Sequence, residues 1–210
     1  MSADLLSVRR SRWRLSDFGI SPAREDLVRR AMAERWNILV CGGACCGKSR
    51  FLNACLSLAR GSDRVMVVEE AREVEIEGDY VRRITVGVPG PDGQRVEYRK
   101  AVKKAAIHEP DRVVFGEVGH DSCHSALRIL AAGQQGFLST IEADSPALAF
   151  DTVARTLANA GEDEHRVHET LSARIDIVIQ VSRVPGTEPW ISDIRRLSAR
   201  ADAAVAQAAG

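Results

Sequence analysis

The residues with the types and spacing to do chemistry begin at Cys41-Gly42-Gly43-Ala44-Cys45-Cys46-Gly47-Lys48-Ser49-Arg50. Gly42 to Ser49 fits G-x-x-x-x-G-K-[ST]. In that pattern backbone N–H groups wrap phosphates, a lysine reaches the outer phosphates and a hydroxyl binds Mg²⁺. The expected ligand is therefore a nucleoside triphosphate with Mg²⁺, with Lys48 in a catalytic role and Ser49 on the metal. Three further places carry carboxylates where an apolar run ends. Glu69 and Glu70 follow Val65-Met66-Val67-Val68, Glu117 follows Val113-Val114-Phe115-Gly116, and Glu142 follows Phe137-Leu138-Ser139-Thr140-Ile141. Acids at the carboxyl ends of parallel strands lie on the ligand side of such a sheet. Glu117 is the one expected to hold Mg²⁺, directly or through water.

These groups need elements that bring them to one edge. Trp36-Asn37-Ile38-Leu39-Val40-Cys41 reads as a short buried strand, and Ser49 to Arg60 places Phe51, Leu52, Cys55, Leu56 and Leu58 at helical spacing before Gly61. Strand, glycine loop, helix is the order a phosphate loop requires, and the helix N-terminus adds its positive dipole end. Ser21-Pro22 opens an earlier helix. Val74 to Tyr98 alternates apolar and polar residues around Pro89-Gly90-Pro91-Asp92-Gly93, which predicts a β-hairpin excursion. Helices are expected over Arg99 to His108, Ser122 to Ala132, from Ser145-Pro146, and over Glu162 to Ala173. Strands are expected over Ile175 to Val181 and Trp190 to Ile194. The fold class is α/β, with a mostly parallel central sheet flanked by helices. The expected division is a basic leader or linker over 1–20, one domain over 21–198 and an alanine-rich tail over 199–210.

The chain has 210 residues, 45% hydrophobic and 28% charged, enough for one domain with a real core. Its 29 basic and 29 acidic residues cancel, so no global field draws nucleic acid. The one dense basic cluster, Arg9, Arg10, Arg12 and Arg14 around Trp13, reads as a solvated leader. Met1 to Arg14 holds no signal-like apolar run, and no apolar run approaches the roughly 18 residues of a membrane span. Five cysteines, two inside the glycine loop, fit a reducing cytoplasm. No N-K-x-D base-reading motif and no arginine-rich lid is visible, which disfavours a GTPase and a small kinase.

From about Leu15 to about Leu197 the chain resembles the ATPase domain of the secretion-traffic ATPases of type II and type IV secretion, conjugative transfer and pilus assembly. Asn37-Ile38-Leu39-Val40-Cys41-Gly42-Gly43 resembles the family's first strand and phosphate loop, and Val68-Glu69-Glu70 its acidic box. Pro110-Asp111-Arg112-Val113-Val114-Phe115-Gly116-Glu117-Val118 is similar to its Walker B segment. Leu138-Ser139-Thr140-Ile141-Glu142-Ala143-Asp144-Ser145 matches its histidine box in place and length. With no tetracysteine motif between strands, the conjugative and tight-adherence pilus branch looks nearest.

The resemblance implies a RecA-like P-loop fold, Mg²⁺-dependent ATP hydrolysis in a hexameric ring, and inner-membrane secretion or pilus components as partners. It places the protein in the cytoplasm, peripheral to the inner membrane. It also gives Glu70 the task of orienting or deprotonating the attacking water, and makes Arg82, Arg83 and Arg99 candidates for an arginine acting in trans. Three positions depart from the pattern. Glu142 stands where histidine is usual, Gly119 where arginine is usual, and Cys45 where glycine is usual, at a cost if its φ is positive. The family also carries a separate N-terminal domain, whereas only about 20 residues precede the first matched helix. The resemblance thus implies either a truncated chain or a partner subunit. The alternative function is a degenerate nucleotide-binding assembly subunit with little turnover.

Overall fold

Ile38–Gly42 has no polar side chain to present to water, and all five residues are buried as strand β1. A strand so placed needs neighbours on both sides and cover on both faces. A computed structural model of the chain describes residues 11–87, 97–199 and 201–202, without the side chains of 104–106. It supplies both. The other strands are β2 (Val65–Glu69), β3 (Val81–Thr85), β4 (Arg112–Glu117), β5 (Phe137–Glu142), β6 (Ile177–Ser182) and β7 (Trp190–Arg196). They form one sheet in the order β3-β2-β4-β5-β1-β6-β7. Every pairing is parallel except β6 with β7.

The helices are α1 (Pro22–Ala33), α2 (Lys48–Leu56), α3 (Tyr98–His108), α4 (Cys123–Ala131), α5 (Pro146–Ala158) and α6 (Glu164–Arg174), with a 3-10 turn at Leu15–Phe18. Strand alternation divides the core between two layers. Ile38 and Val40 of β1 join Phe18, Met32, Phe51 and Leu56 on the α1–α2 face. Leu39 and Cys41 join Phe115, Leu130, Phe150 and Leu157 on the α3–α6 face. Leu15 and Phe18, inside the stretch expected as a leader, are buried, and Phe18 meets Phe51 edge-on with centroids 5.0 Å apart. No helix among the described residues is long and apolar enough to cross a membrane.

Of the β-hairpin excursion expected over Val74 to Tyr98, the described residues show Val81–Thr85, a strand parallel to β2 with Val65 opposite Val81 and Glu69 opposite Thr85. The alternation was that of a strand with one face on the sheet, and the residues between β2 and β3 are a crossover whose Val74 and Ile76 are buried on the α2 face. The Pro89–Gly93 turn lies outside the described residues.

At the opposite, amino-terminal edge of the sheet, a buried ion network ties β4 to α1. Arg112 donates to Asp63 (Nε to Oδ2, 2.7 Å) and to the carbonyl of Met32 (2.5 Å), and Arg35 donates to the second Asp63 oxygen at 2.9 Å. Burial alone pushes the Asp63 carboxyl up, but the hydrogen bonds and charge of Arg112, with Arg35, outweigh it and hold it below the ordinary value. A carboxyl depressed in the folded state contributes stability above its unfolded pKa and loses it as pH falls through the folded value. Asp63→Asn should therefore flatten the acid limb of stability below about pH 4. At neutral pH it should cost about 3–5 kcal/mol, because the buried Arg112 charge loses its partner. Urea unfolding of both proteins across that pH range checks this, and parallel acid limbs would refute it.

Candidate nucleotide-binding site

The glycine loop runs from the end of β1 into α2 and packs too tightly for side chains at two of its glycines. A Cβ on Gly42 would stand 2.3 Å from the Val181 carbonyl and 2.5 Å from the Cys46 sulfur; one on Gly47, at φ 105°, would meet Pro189 at 3.1 Å. Cys45 adopts φ 55°, a left-handed backbone that costs a non-glycine residue roughly 1–2 kcal/mol. The strain expected at that position is present. Gly47 caps α2 with no side-chain acceptor, so the first amides of the helix are free for an external anion. Lys48 is 9% exposed and its Nζ donates to the Gly43 carbonyl at 2.8 Å, holding the ammonium inside the loop.

Around this loop the sheet order gathers the carboxylates. Glu142 lies directly across from Gly42 in the β1–β5 register, and β4 delivers Glu117 one strand further out. Thr140 fastens those two ends together, its Oγ1 donating to the Gly116 carbonyl at 2.8 Å and its own carbonyl accepting from Val118 N at 2.7 Å. Partial burial pushes the Glu117 carboxyl above the ordinary carboxylate value; Glu142, Glu73 and Glu70 push it the same way, and Lys48 pulls it back. Glu70, Glu73 and Glu117 line one cavity of about 310 Å³, together with Gly119, His120 and Asp121. Tyr98 donates its hydroxyl to Glu70 at 3.2 Å. Burial and the Glu70 charge both hold that phenol above its ordinary pKa.

Not every expected residue faces the cavity in a free state. Glu69 is 1% exposed, accepts from the backbone N–H groups of Glu73 and Val74, and is ion-paired with Arg83. Arg83 also donates to the carbonyls of Val74 and Ile76. These two residues brace the β2–β3 crossover, so Glu69 lines the cavity wall with its carboxylate already engaged and Arg83 is engaged with it. Arg82 and Arg99 are exposed; Arg82 donates to the Asp79 carbonyl at 3.3 Å, and Arg99 lines a neighbouring cavity with Glu70, Tyr98 and Asp121. Arg50 lies on the outer side of the first turn of α2, its guanidinium 4.7 Å from the Trp13 ring.

One residue escaped the sequence reading. Glu73 accepts a 2.6 Å hydrogen bond from Ser49 Oγ, the hydroxyl expected on Mg²⁺, and Asn53 one turn later holds the Glu73 carbonyl at 2.8 Å. Its only sequence signal was a third carboxylate in Val68-Glu69-Glu70-Ala71-Arg72-Glu73. Among the described residues no three His, Cys, Asp or Glu side chains converge on a metal point. The Ser49 hydroxyl and flanking carboxylates instead suit Mg²⁺, which takes one or two protein oxygens and completes its shell with waters and phosphates.

A parallel sheet with a glycine loop between its central strand and the following helix defines a P-loop NTPase fold. Residues 4–186 match the model of the family described as Type II/IV secretion system protein, and the chain belongs to that family. It is 29% identical over 165 residues to the Mycobacterium tuberculosis protein named "Putative conjugal transfer protein Rv3659c", covering 78% of this chain and 47% of that one. Among solved structures it resembles the VirB11 ATPase of the Brucella suis type IV secretion system, at TM-score 0.69 and 17% identity, over 90% of this chain and 59% of that one. It also resembles the Legionella pneumophila ATPase DotB, at TM-score 0.63 and 16% identity, over 97% and 58%. Both structural likenesses are likenesses of fold. The chain spans about half the length of the curated relatives it matches.

Because Glu142 raises the Glu117 pKa and Lys48 lowers it, removing one charge at a time moves Glu117 in a known direction. Glu142→Gln should lower the Glu117 midpoint and Lys48→Ala should raise it. Carboxyl ¹³C chemical shifts followed through a pH titration check this, and an unmoved midpoint in both variants would contradict the geometry.

Proposed function

We propose that the chain is the ATP-binding and ATP-hydrolysing motor domain of a conjugation, pilus-assembly or secretion system. The hydrogen bond from Ser49 to Glu73 carries the reading. It sets a carboxylate against the hydroxyl at the head of α2, beside Lys48 and across the cavity from Glu117. Backbone amides from Gly42 to Arg50 hold the phosphates and Lys48 neutralises the β- and γ-phosphates. Ser49 ligates Mg²⁺ and Glu117 holds its shell, directly or through water. A metal held by these residues would supply charge neutralisation at the phosphates. Glu73 and Glu70 orient the attacking water and take its proton, and Tyr98 keeps Glu70 turned into the cavity. Such sites act by positioning and electrostatics, so each of these groups contributes through its place.

The domain works as a homo-oligomeric ring in the cytoplasm, peripheral to the inner membrane, with inner-membrane secretion or pilus components as partners. A separate N-terminal domain or partner subunit closes over the nucleotide. Arg99, exposed in the neighbouring cavity, and Arg82, exposed on β3, are the arginines that reach a neighbouring subunit's site. The relatives named for conjugal transfer and for VirB11 support this assignment.

One observation favours a second reading, a nucleotide-binding assembly subunit with little turnover. Glu142 places negative charge beside Gly42, and Lys48 alone opposes the surrounding carboxylates at Glu117.

Phosphate release measured with and without Mg²⁺, alongside molar mass in Mg–ATP, separates the two. The motor reading expects Mg²⁺-dependent turnover in the wild type, a hexamer-sized species, and at least a hundredfold loss in Lys48→Ala. Wild-type turnover at background with Mg–ATP still bound selects the second reading. Wild-type turnover above background that Lys48→Ala leaves unchanged overturns both.

A further inference from the structure

Arg50 adds a second positive charge where one already stands. It sits with Lys48 in the first turn of α2, where the helix dipole already places positive charge and where no acidic residue offsets it. Among the described residues it pairs with no carboxylate; its contact is the Trp13 ring, 4.7 Å from the guanidinium. Arg12 stands over the same ring at 4.9 Å. One indole thus gathers two guanidinium groups at the mouth of the glycine loop.

The chain holds that ring in place from both ends. On one side Leu15 and Phe18 are buried, Phe18 against Phe51 of α2. On the other, Ser11 Oγ donates to Glu75 at 2.8 Å, and Glu75 N donates to Asn53 Oδ1 at 2.8 Å. Asn53 is the residue that also holds the Glu73 carbonyl. The segment bearing Trp13 is therefore tied to the same helix and the same crossover as Ser49 and Glu73. The ring itself stays half-buried.

We propose that Trp13, which now carries Arg12 and Arg50 over its ring, is the platform on which the base of a nucleoside triphosphate stacks, with Arg50 swinging off the ring to the α-phosphate. This rests on the reading that Gly42 to Ser49 holds the triphosphate. Lys48, buried inside the loop, meets the inner end of that chain of phosphates. Arg50, two residues on and facing outward, meets the end that carries the nucleoside. An indole presents a flat π face to any base, and a guanidinium on the same ring adds cation–π attraction while neutralising phosphate. The bound polyanion also offsets the positive charge of Lys48 and Arg50 at the helix N-terminus.

The test is calorimetric titration of wild type, Trp13→Ala and Trp13→Leu with Mg–ATP and, separately, with Mg–tripolyphosphate, which has the phosphates without the nucleoside. Trp13→Leu keeps an apolar side chain against the core and removes the stacking face. Both variants should weaken ATP about ten- to a hundredfold, the usual worth of one base–aromatic stack. Tripolyphosphate affinity should stay within about twofold of wild type. ATP affinity unchanged in the variants overturns the platform and leaves the phosphate loop standing. Equal losses for both ligands overturn it too, since Trp13 would then only support the loop. A wild-type protein that binds neither ligand overturns this inference together with the nucleotide reading.

Discussion

The parallel pairing of β1 between β5 and β6 governs the whole ligand edge. With hydrogen-bonded neighbours on both sides and both faces covered, β1 cannot shift register without exposing Ile38, Val40 or Leu39. Its carboxyl end therefore delivers Gly42 to one fixed place, across from Glu142. The loop that follows has no slack, because Val181 and Pro189 fill the space that side chains at Gly42 and Gly47 would need. Cys45, exposed, takes a left-handed backbone in that loop despite its side chain. The packing of the rest of the loop against the sheet holds it there.

The second constraint is electrostatic. Four carboxylates, those of Glu70, Glu73, Glu117 and Glu142, converge on an edge where Lys48 is the cation that opposes them at Glu117. Left alone, such a cluster opposes folding. The structure manages it by giving single acids single partners: Tyr98 to Glu70, Ser49 to Glu73, and Arg83 to the fully buried Glu69. Only Glu69, buried in the cavity wall, is neutralised by a full charge. The remaining acids keep an environment that a divalent cation would relax, which agrees with the oxygen-donor set at Ser49. The amino-terminal edge, by contrast, spends its charges on cohesion through Arg112 and Asp63.

Much of this was legible from residue order. β1, the glycine loop and α2 are contiguous in the chain, so a local pattern sufficed, and the apolar runs of β4 and β5 announced Glu117 and Glu142 as strand ends. What failed was whatever depended on a residue from another strand. Glu69 and Glu70 are adjacent and identical in type, and alternation alone says only that one points each way. Glu69 is the buried one because Val65, Val67 and Glu69 share a face with Val81 and Arg83 of β3, which lies parallel beside them. The sequence offers no sign that the β3 stretch runs beside β2, so the partner of Glu69 was invisible. Glu73 was missed for a related reason. Its importance comes from a crossover folded back onto α2 by Asn53 and the Glu69 carboxylate, a contact 20 or more residues distant in sequence.

The most direct measurement is a crystal structure of the protein grown with Mg²⁺ and a non-hydrolysable ATP analogue. The account predicts the triphosphate wrapped by Gly42 to Ser49, with Ser49 Oγ turned from Glu73 onto the metal and Glu73 and Glu117 facing its water shell. An analogue bound away from the glycine loop, or one bound in it with Ser49 still donating to Glu73 and no metal at the hydroxyl, would contradict it.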